Sequence, residues 1–201
     1  MKELYIIRHG ETDFNRQGIV QGSGVNSSLN ENGKLQALHF FNKYKDVEFD
    51  YVYSSTLKRT HETVQHFINK GITWRVRAEI REISWGIHEG QKGTKESIQR
   101  YKKLIEYWND GNFDARLEGG ESAAEMVVRL NHFLEELKRT DFKRALICSH
   151  GRTLRCLMCL INNDHLREMD NYQHWNTGLY IVELNADVFK IVLHKDVSHL
   201  E

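Results

Sequence analysis

Two short apolar runs limit what this chain can fold into more than any other feature. Leu4-Tyr5-Ile6-Ile7 and Ala145-Leu146-Ile147-Cys148 are too brief for helices and lack the alternation of a strand with one wet face. Runs of this kind suit strands buried on both sides, which belong to sheets covered by helices. Each run leads without a gap into polar residues: Arg8-His9-Gly10-Glu11-Thr12 after the first, Ser149-His150-Gly151 after the second. Arg and His at the end of a buried strand are costly unless an anion is held there.

The segments between these runs supply the covering helices. Asn30 is a good N-cap, and Ala37, Phe41 and Tyr44 follow at helical spacing, so a helix is predicted over 31–45. Gly33 inside it points to a close backbone approach. Tyr51-Val52-Tyr53 reads as a second strand, and any of Ser54-Ser55-Thr56 can cap the next helix, marked by Leu57, Val64 and Phe67 with Arg59 in its first turn. Alternation of Trp74, Val76 and Ala78 with Arg75 and Arg77 predicts a third strand over 73–80. A helix is expected over 94–110. Another opens on the capping box of Ser122 and Glu125 and carries the stripe Met126, Leu130, Phe133 and Leu137. A hydrophobic helix over 153–161 follows the fourth strand, and two last strands over 179–184 and 188–194 are joined by Asn185-Ala186-Asp187. Residues 13–30, with Gly18, Gly22 and Gly24, read as a long loop of the functional kind. Strands alternating with helices imply an α/β protein, a three-layer α/β/α sandwich with a mostly parallel central sheet.

At 201 residues, with neither repeat nor linker, a single domain over 1–201 is expected. Lys plus Arg equals Asp plus Glu at 28 each, which gives no field for nucleic acid or an anionic membrane. Any attraction for an anion is therefore local. The three cysteines, Cys148, Cys156 and Cys159, are an odd number in an apolar region, which argues against a disulfide framework and for a reducing compartment. Four apolar residues after Lys2 and Glu3 are too few for a signal-peptide core, so the expectation is a soluble cytoplasmic protein. Proline is absent where average usage gives roughly ten, so turns fall to Gly, Asn, Asp and Ser.

With the strands placed, Arg8 and His9 follow the first, Arg59 the second, Glu82 the third and His150 the fourth. Open parallel sheets bind ligands beyond the carboxyl ends of their strands, so two arginines, two histidines and a carboxylate converge there. Arginine forks can hold a phosphoryl group while a neutral imidazole nitrogen attacks phosphorus. A second imidazole can bond the equatorial oxygens, and a carboxyl can protonate the departing oxygen. This chemistry requires neither a metal nor a cofactor.

These residues resemble the histidine phosphatase superfamily, on the branch that includes cofactor-dependent phosphoglycerate mutases and their phosphatase relatives. Arg8-His9-Gly10-Glu11-Thr12 with Asn15 matches its opening signature, and Ser54-Ser55-x-Leu57-x-Arg59-x-x-x-Thr63 the second. Glu82 with Gly86 and Glu89-Gly90 matches the third, and Ser149-His150-Gly151 the fourth. The resemblance implies that His9 is phosphorylated, that Arg8, Arg59, His150 and Asn15 bind the phosphate, and that Glu82 is the proton donor. It also implies supporting places for Gly10, Thr12, Ser54 and Gly151, and a structural one for Glu11. The family's mutases usually carry longer inserts and tails rich in basic residues. The short distance from Glu82 to His150 and the lack of paired arginines between them favour hydrolysis.

A metal-independent phosphomonoesterase acting on a small phosphorylated metabolite is the resulting expectation, with residues 90–125 as a substrate-facing insert. A sugar phosphate, phosphoserine and a nucleoside phosphate all remain open as substrates. A phosphoglycerate mutase and a phospho-ligand-binding module without turnover are the alternatives, and assembly as a homodimer is compatible with any of them. His39, His61, His66, His132, His165, His174, His194 and His199 read as structural. Cys156 and Cys159 read as core packing, and Lys92, Lys95, Arg100, Lys102 and Lys103 as a solvated face.

Overall fold

The computed structural model describes residues 1–201 as a six-stranded sheet in the order β3-β2-β4-β1-β5-β6. Its strands are β1 (Lys2–Arg8), β2 (Tyr51–Ser54), β3 (Thr73–Val76), β4 (Arg144–Ser149), β5 (Leu179–Asn185) and β6 (Val188–Asp196). The first four run parallel, and β5 and β6 add an antiparallel hairpin at one edge, so the sheet is mostly parallel as expected. Helices α1 (Asp13–Gln17), α2 (Glu31–Tyr44), α3 (Lys58–Asn69), α4 (Lys95–Asn109), α5 (Ala123–Arg139) and α6 (Gly151–Ile161) complete the fold.

The two apolar runs occupy adjacent central strands, with Leu4 paired to Ala145 and Ile7 to Cys148. Because side chains alternate across a strand, each run feeds two cores. Leu4, Ile6, Ala145 and Ile147 join Met126, Leu130 and Phe133 of α5 and Leu154, Leu157 and Met158 of α6. Ile7, Leu146 and Cys148 meet Phe40 of α2 and Val64 and Phe67 of α3 on the other face. Each such fully buried large side chain contributes about 1.5–3 kcal/mol. The three cysteines are free and buried.

Several boundaries differ from the sequence reading. The third strand stops at Val76 rather than running to residue 80. It is an edge strand with Trp74 and Val76 exposed, and Arg77 N–H makes its last bond to Ser54 O before Ala78–Ile80 turns as a 3-10 segment. That turn drives Ile80 into the core. Within the long loop, Asp13–Gln17 forms a short helix, because Thr12 and Asn15 make a capping box. None of Ser54, Ser55 and Thr56 caps α3, whose N-cap is Leu57 without a side-chain bond.

The close approach signalled by Gly33 is real. A Cβ there would lie 2.0 Å from the Glu11 carbonyl oxygen, and one on Gly10 would lie 2.6 Å from the Gly33 carbonyl oxygen. Only two glycines let the backbone after β1 cross α2 at this distance. No helix is long and apolar enough to cross a membrane.

Candidate active site

Parallel register brings the strand ends together. Arg8 pairs with Ser149 and Ser54 with Cys148, so the residues that follow emerge side by side at one edge. The rings of His9 and His150 lie 5.2 Å apart between centroids. Arg59 reaches the same place from the first turn of α3 and is fully buried.

The His9 ring is fixed in one tautomer. Its Nδ1 lies 2.7 Å from the Gly10 carbonyl oxygen, which can only accept, so Nδ1 carries the proton and Nε2 keeps its lone pair. Gly10 is itself held by its N–H to Thr63 Oγ1 at 2.9 Å, which gives the second block's threonine a part in aiming His9. Burial pushes the His9 pKa well below its ordinary 6.5, and the Arg59 and Arg8 charges push the same way. A buried, neutral imidazole with a free Nε2 is a nucleophile in its reactive form.

His150 has both nitrogens engaged. Arg59 Nε donates to its Nδ1 at 3.2 Å, so the other nitrogen, Nε2, carries the proton and donates to Ser55 Oγ at 2.7 Å. Burial lowers its pKa well below 6.5, and Arg59 lowers it further. Arg59 also donates to the long loop, from Nη1 to Val25 O at 2.6 Å and from Nη2 to Gly22 O at 3.4 Å, and keeps a second N–H on each of these nitrogens. Burial brings the Arg59 pKa down to about 10, with Glu82 opposing that and Arg8 adding to it. Arg8 Nε is buried without a partner.

Glu82 sits at the start of α6. Its Oε1 accepts from Ile83 N–H at 2.9 Å, Thr153 N–H at 3.0 Å and the Thr153 hydroxyl at 3.1 Å, and its Oε2 accepts from Arg152 N–H at 3.1 Å. The unbonded N–H groups of a helix N-terminus are a ready anchor for a carboxyl group. Glu89, the nearby rival, is occupied elsewhere: its oxygens accept from Trp85 N–H at 2.8 Å and Gly24 N–H at 2.7 Å, fastening the long loop to residues 85–89.

The chain as a whole is matched by known proteins. The profile of the histidine phosphatase superfamily (branch 1) fits residues 4–197. The chain belongs to that superfamily. It is 31% identical over 167 residues to a "Probable phosphoglycerate mutase GpmB" of Shigella dysenteriae serotype 1, covering 80% of this chain and 75% of that protein. It is 29% identical over 180 residues to "Phosphoserine phosphatase 1" of Hydrogenobacter thermophilus, covering 89% and 82%. The solved phosphoserine phosphatase of Entamoeba histolytica, in complex with 3-phosphoglyceric acid, superposes with a TM-score of 0.86 at 26% identity over 100% of both chains.

Three of the expected residues, the phosphate-binding candidate Asn15 and the supporting candidates Thr12 and Ser54, have other protein partners in the structure. Asn15 Oδ1 accepts from Thr12 N–H and from the Thr12 hydroxyl, both at 3.1 Å. Asn15 thus serves the capping box, and its Nδ2 bonds no other protein group. Thr12 also accepts from Gln21 Nε2 at 2.8 Å and bonds none of the site histidines or arginines. Ser54 faces away, accepting from the Trp74 indole at 2.8 Å, and Ser55 is the serine that meets His150. Gly151 is the first residue of α6, where His174 Cε1 lies 3.3 Å from the place of a Cβ.

Besides Ser55, two residues outside the expected set lie against it. Asn176 Nδ2 donates to the His9 carbonyl at 2.8 Å. His174, read as structural, lies beside Gly151 and Arg8 with neither ring nitrogen bonded. Burial pushes its pKa down to about 3, with Arg8 contributing. A cavity of about 510 Å³ is lined by Val20, Gln21, Trp85, Lys92, Ile98 and Tyr101 among others, and by none of Arg8, His9, Arg59, Glu82 and His150; Trp85 follows Glu82 by three residues, and Gln21 precedes Gly22, which accepts from Arg59. Its walls come from residues 17–21 of the early loop, from Trp85 and His88, and from residues 92–101 and Leu117 of the expected insert.

Proposed function

We propose that this chain is a phosphomonoesterase working through a phosphohistidine on His9, and that the 510 Å³ cavity receives the leaving group. The observation that carries the reading is the His9 ring itself, neutral, locked by Gly10 through Nδ1 and free at Nε2, between two arginines. Arg8 and Arg59 clamp the phosphoryl group, and His9 Nε2 forms the N–P bond as the ester P–O bond breaks. Glu82 gives its proton to the departing oxygen. It then takes one from the water whose oxygen attacks phosphorus, and the N–P bond breaks to release phosphate and His9.

Contact between His150 and the phosphoryl oxygens needs a proton taken up on Nδ1, which then exchanges its bond with Arg59 Nε for one donated to the anion. Asn15 Nδ2, free of protein partners, is a further donor for it. Cavity walls that include Trp85, Tyr101, Ile98, Val20 and Leu117 suit an apolar or aromatic alcohol. A mutase reading is supported by the name of the Shigella relative, but a phosphoglycerate carboxylate calls for a cation pair. Lys92 is the one Lys or Arg on the cavity wall, and Arg100 and Arg116 in the insert are paired with Glu96 and Glu125.

The test is to incubate the protein with an aryl phosphate, quench, and look for an acid-labile phosphoryl group on His9. His9→Ala is expected to lose both turnover and label while inorganic phosphate still binds. Turnover retained in that variant would remove His9 as nucleophile, and interconversion of phosphoglycerates outpacing phosphate release would make the enzyme a mutase.

A further inference from the structure

Arg152 does something the phosphate chemistry does not require. Its side chain is 7% exposed, and a guanidinium that deep is costly unless its donors are met. Here they are met by the insert and by the segment after α6. Nη1 donates to Asp170 Oδ1 at 2.6 Å, Nη2 donates to the Tyr101 hydroxyl, and the cation lies 5.8 Å from the Trp108 ring centroid. Asp170, which also accepts from Arg155 at 2.5 Å, is pushed up by burial and pulled further down by the two arginines, so it stays ionised.

Main chain and side chain of Arg152 point to different parts of the site. The N–H donates to Glu82 Oε2, and the guanidinium grips Tyr101, which lines the cavity. Tyr101 in turn stands edge-on to Trp85 with centroids 5.5 Å apart. One residue therefore touches the cavity wall at one end and the proton donor at the other.

We propose that Arg152 is a positioning residue that couples the α4 wall of the leaving-group cavity to the carboxyl group of Glu82. The proposal rests on the reading of Glu82 as the proton donor. A ligand pressing on Tyr101 and Trp85 fixes the guanidinium, the guanidinium fixes the first turn of α6, and that turn holds Glu82 against the leaving oxygen. A donor must stand within hydrogen-bond reach of its target, so a small displacement is expensive. Only esters whose leaving group needs a proton depend on it.

Arg152→Met tests this, because it keeps the main-chain N–H and the bulk of the stem while removing the charge and its bonds. The rates to compare are kcat/KM for an alkyl phosphate, a poor leaving group, and for 4-nitrophenyl phosphate, a good one. The expected result is a loss of about tenfold or more on the alkyl ester with the aryl ester changed less than about threefold. Tyr101→Phe, which deletes one hydroxyl, should show the same selectivity more weakly, and it carries the comparison if Arg152→Met does not fold. Glu82→Gln runs in parallel. If Glu82→Gln is selective and Arg152→Met lowers both esters equally or neither, the coupling is overturned alone. If Glu82→Gln is not selective, the donor reading falls and the coupling falls with it. With both selective, the double variant should be no worse than Glu82→Gln, and additive losses would also overturn the coupling.

Discussion

Arg59 Nε–H donates to His150 Nδ1 at 3.2 Å, so in the free site a permanent cation and a neutral imidazole hold each other in place. That pairing has a thermodynamic consequence when an anion arrives. A doubly charged oxyanion stabilises the protonated imidazole that burial and Arg59 now disfavour, so binding should draw in a proton. Sulfate is a suitable probe because it carries two charges throughout the neutral range. Calorimetry near pH 7 in buffers of different ionisation enthalpy should show proton uptake, reduced in His150→Gln. A binding enthalpy independent of the buffer would contradict this.

Ser55 is the second support of that ring. Ser55→Ala leaves the buried His150 Nε2–H without its acceptor, a loss that costs about 1–3 kcal/mol. The melting temperature should fall, and kcat/KM should drop about tenfold, as expected when a ring of the site loses its orientation. By contrast, Ser54→Ala removes a bond to Trp74 at the sheet edge and should leave kcat unchanged. Equal effects of the two on kcat would show that His150 does not need Ser55.

Acid should unfold this protein early. His9 and His150 are buried and held neutral, with folded pKa values well below the 6.5 of the unfolded chain. Below pH 6.5 the unfolded state binds protons that the folded state refuses, so stability falls as pH falls toward the folded values. Each of the two removes up to about 1.4 kcal/mol per pH unit in that window. Denaturant melts at pH 7 and pH 5 should show the loss, and His150→Gln should lessen it. A stability unchanged between these pH values would mean that the two rings are protonated in the folded state.

What was legible beforehand follows from where the information sits in the chain. The strand-end residues could be read because a buried strand that stops at Arg8-His9 or Ser149-His150 breaks a local rule, and such breaks mark sites. Choosing Ser55 over Ser54 depends on pleat parity, where a shift of one residue moves a side chain to the other face. His174 and Asn176 lie in a polar segment with no period, and they reach the site only because Thr177 N–H bonds the Arg8 carbonyl at 3.0 Å. That is a long-range contact, invisible to spacing. The early end of β3 belongs to the same class, since the exposure of an edge strand is decided by its neighbours.

The leaving-group cavity gives the last prediction. Trp85 is 8% exposed, lines the cavity, stands edge-on to Tyr101 and follows Glu82 by three residues, so an alcohol bonded to phosphorus at the site meets an aromatic wall. Stacking a ring there is worth about 0.5–1.5 kcal/mol beyond the area it buries. Aryl phosphates should therefore have lower KM values than phosphoserine, which has no ring to stack on that wall. Trp85→Leu keeps an apolar side chain and removes the ring, so KM for an aryl ester should rise several-fold while that for phosphoserine stays put. The reverse order, with phosphoserine preferred and insensitive to added salt, would place the leaving group away from Trp85 and from Lys92.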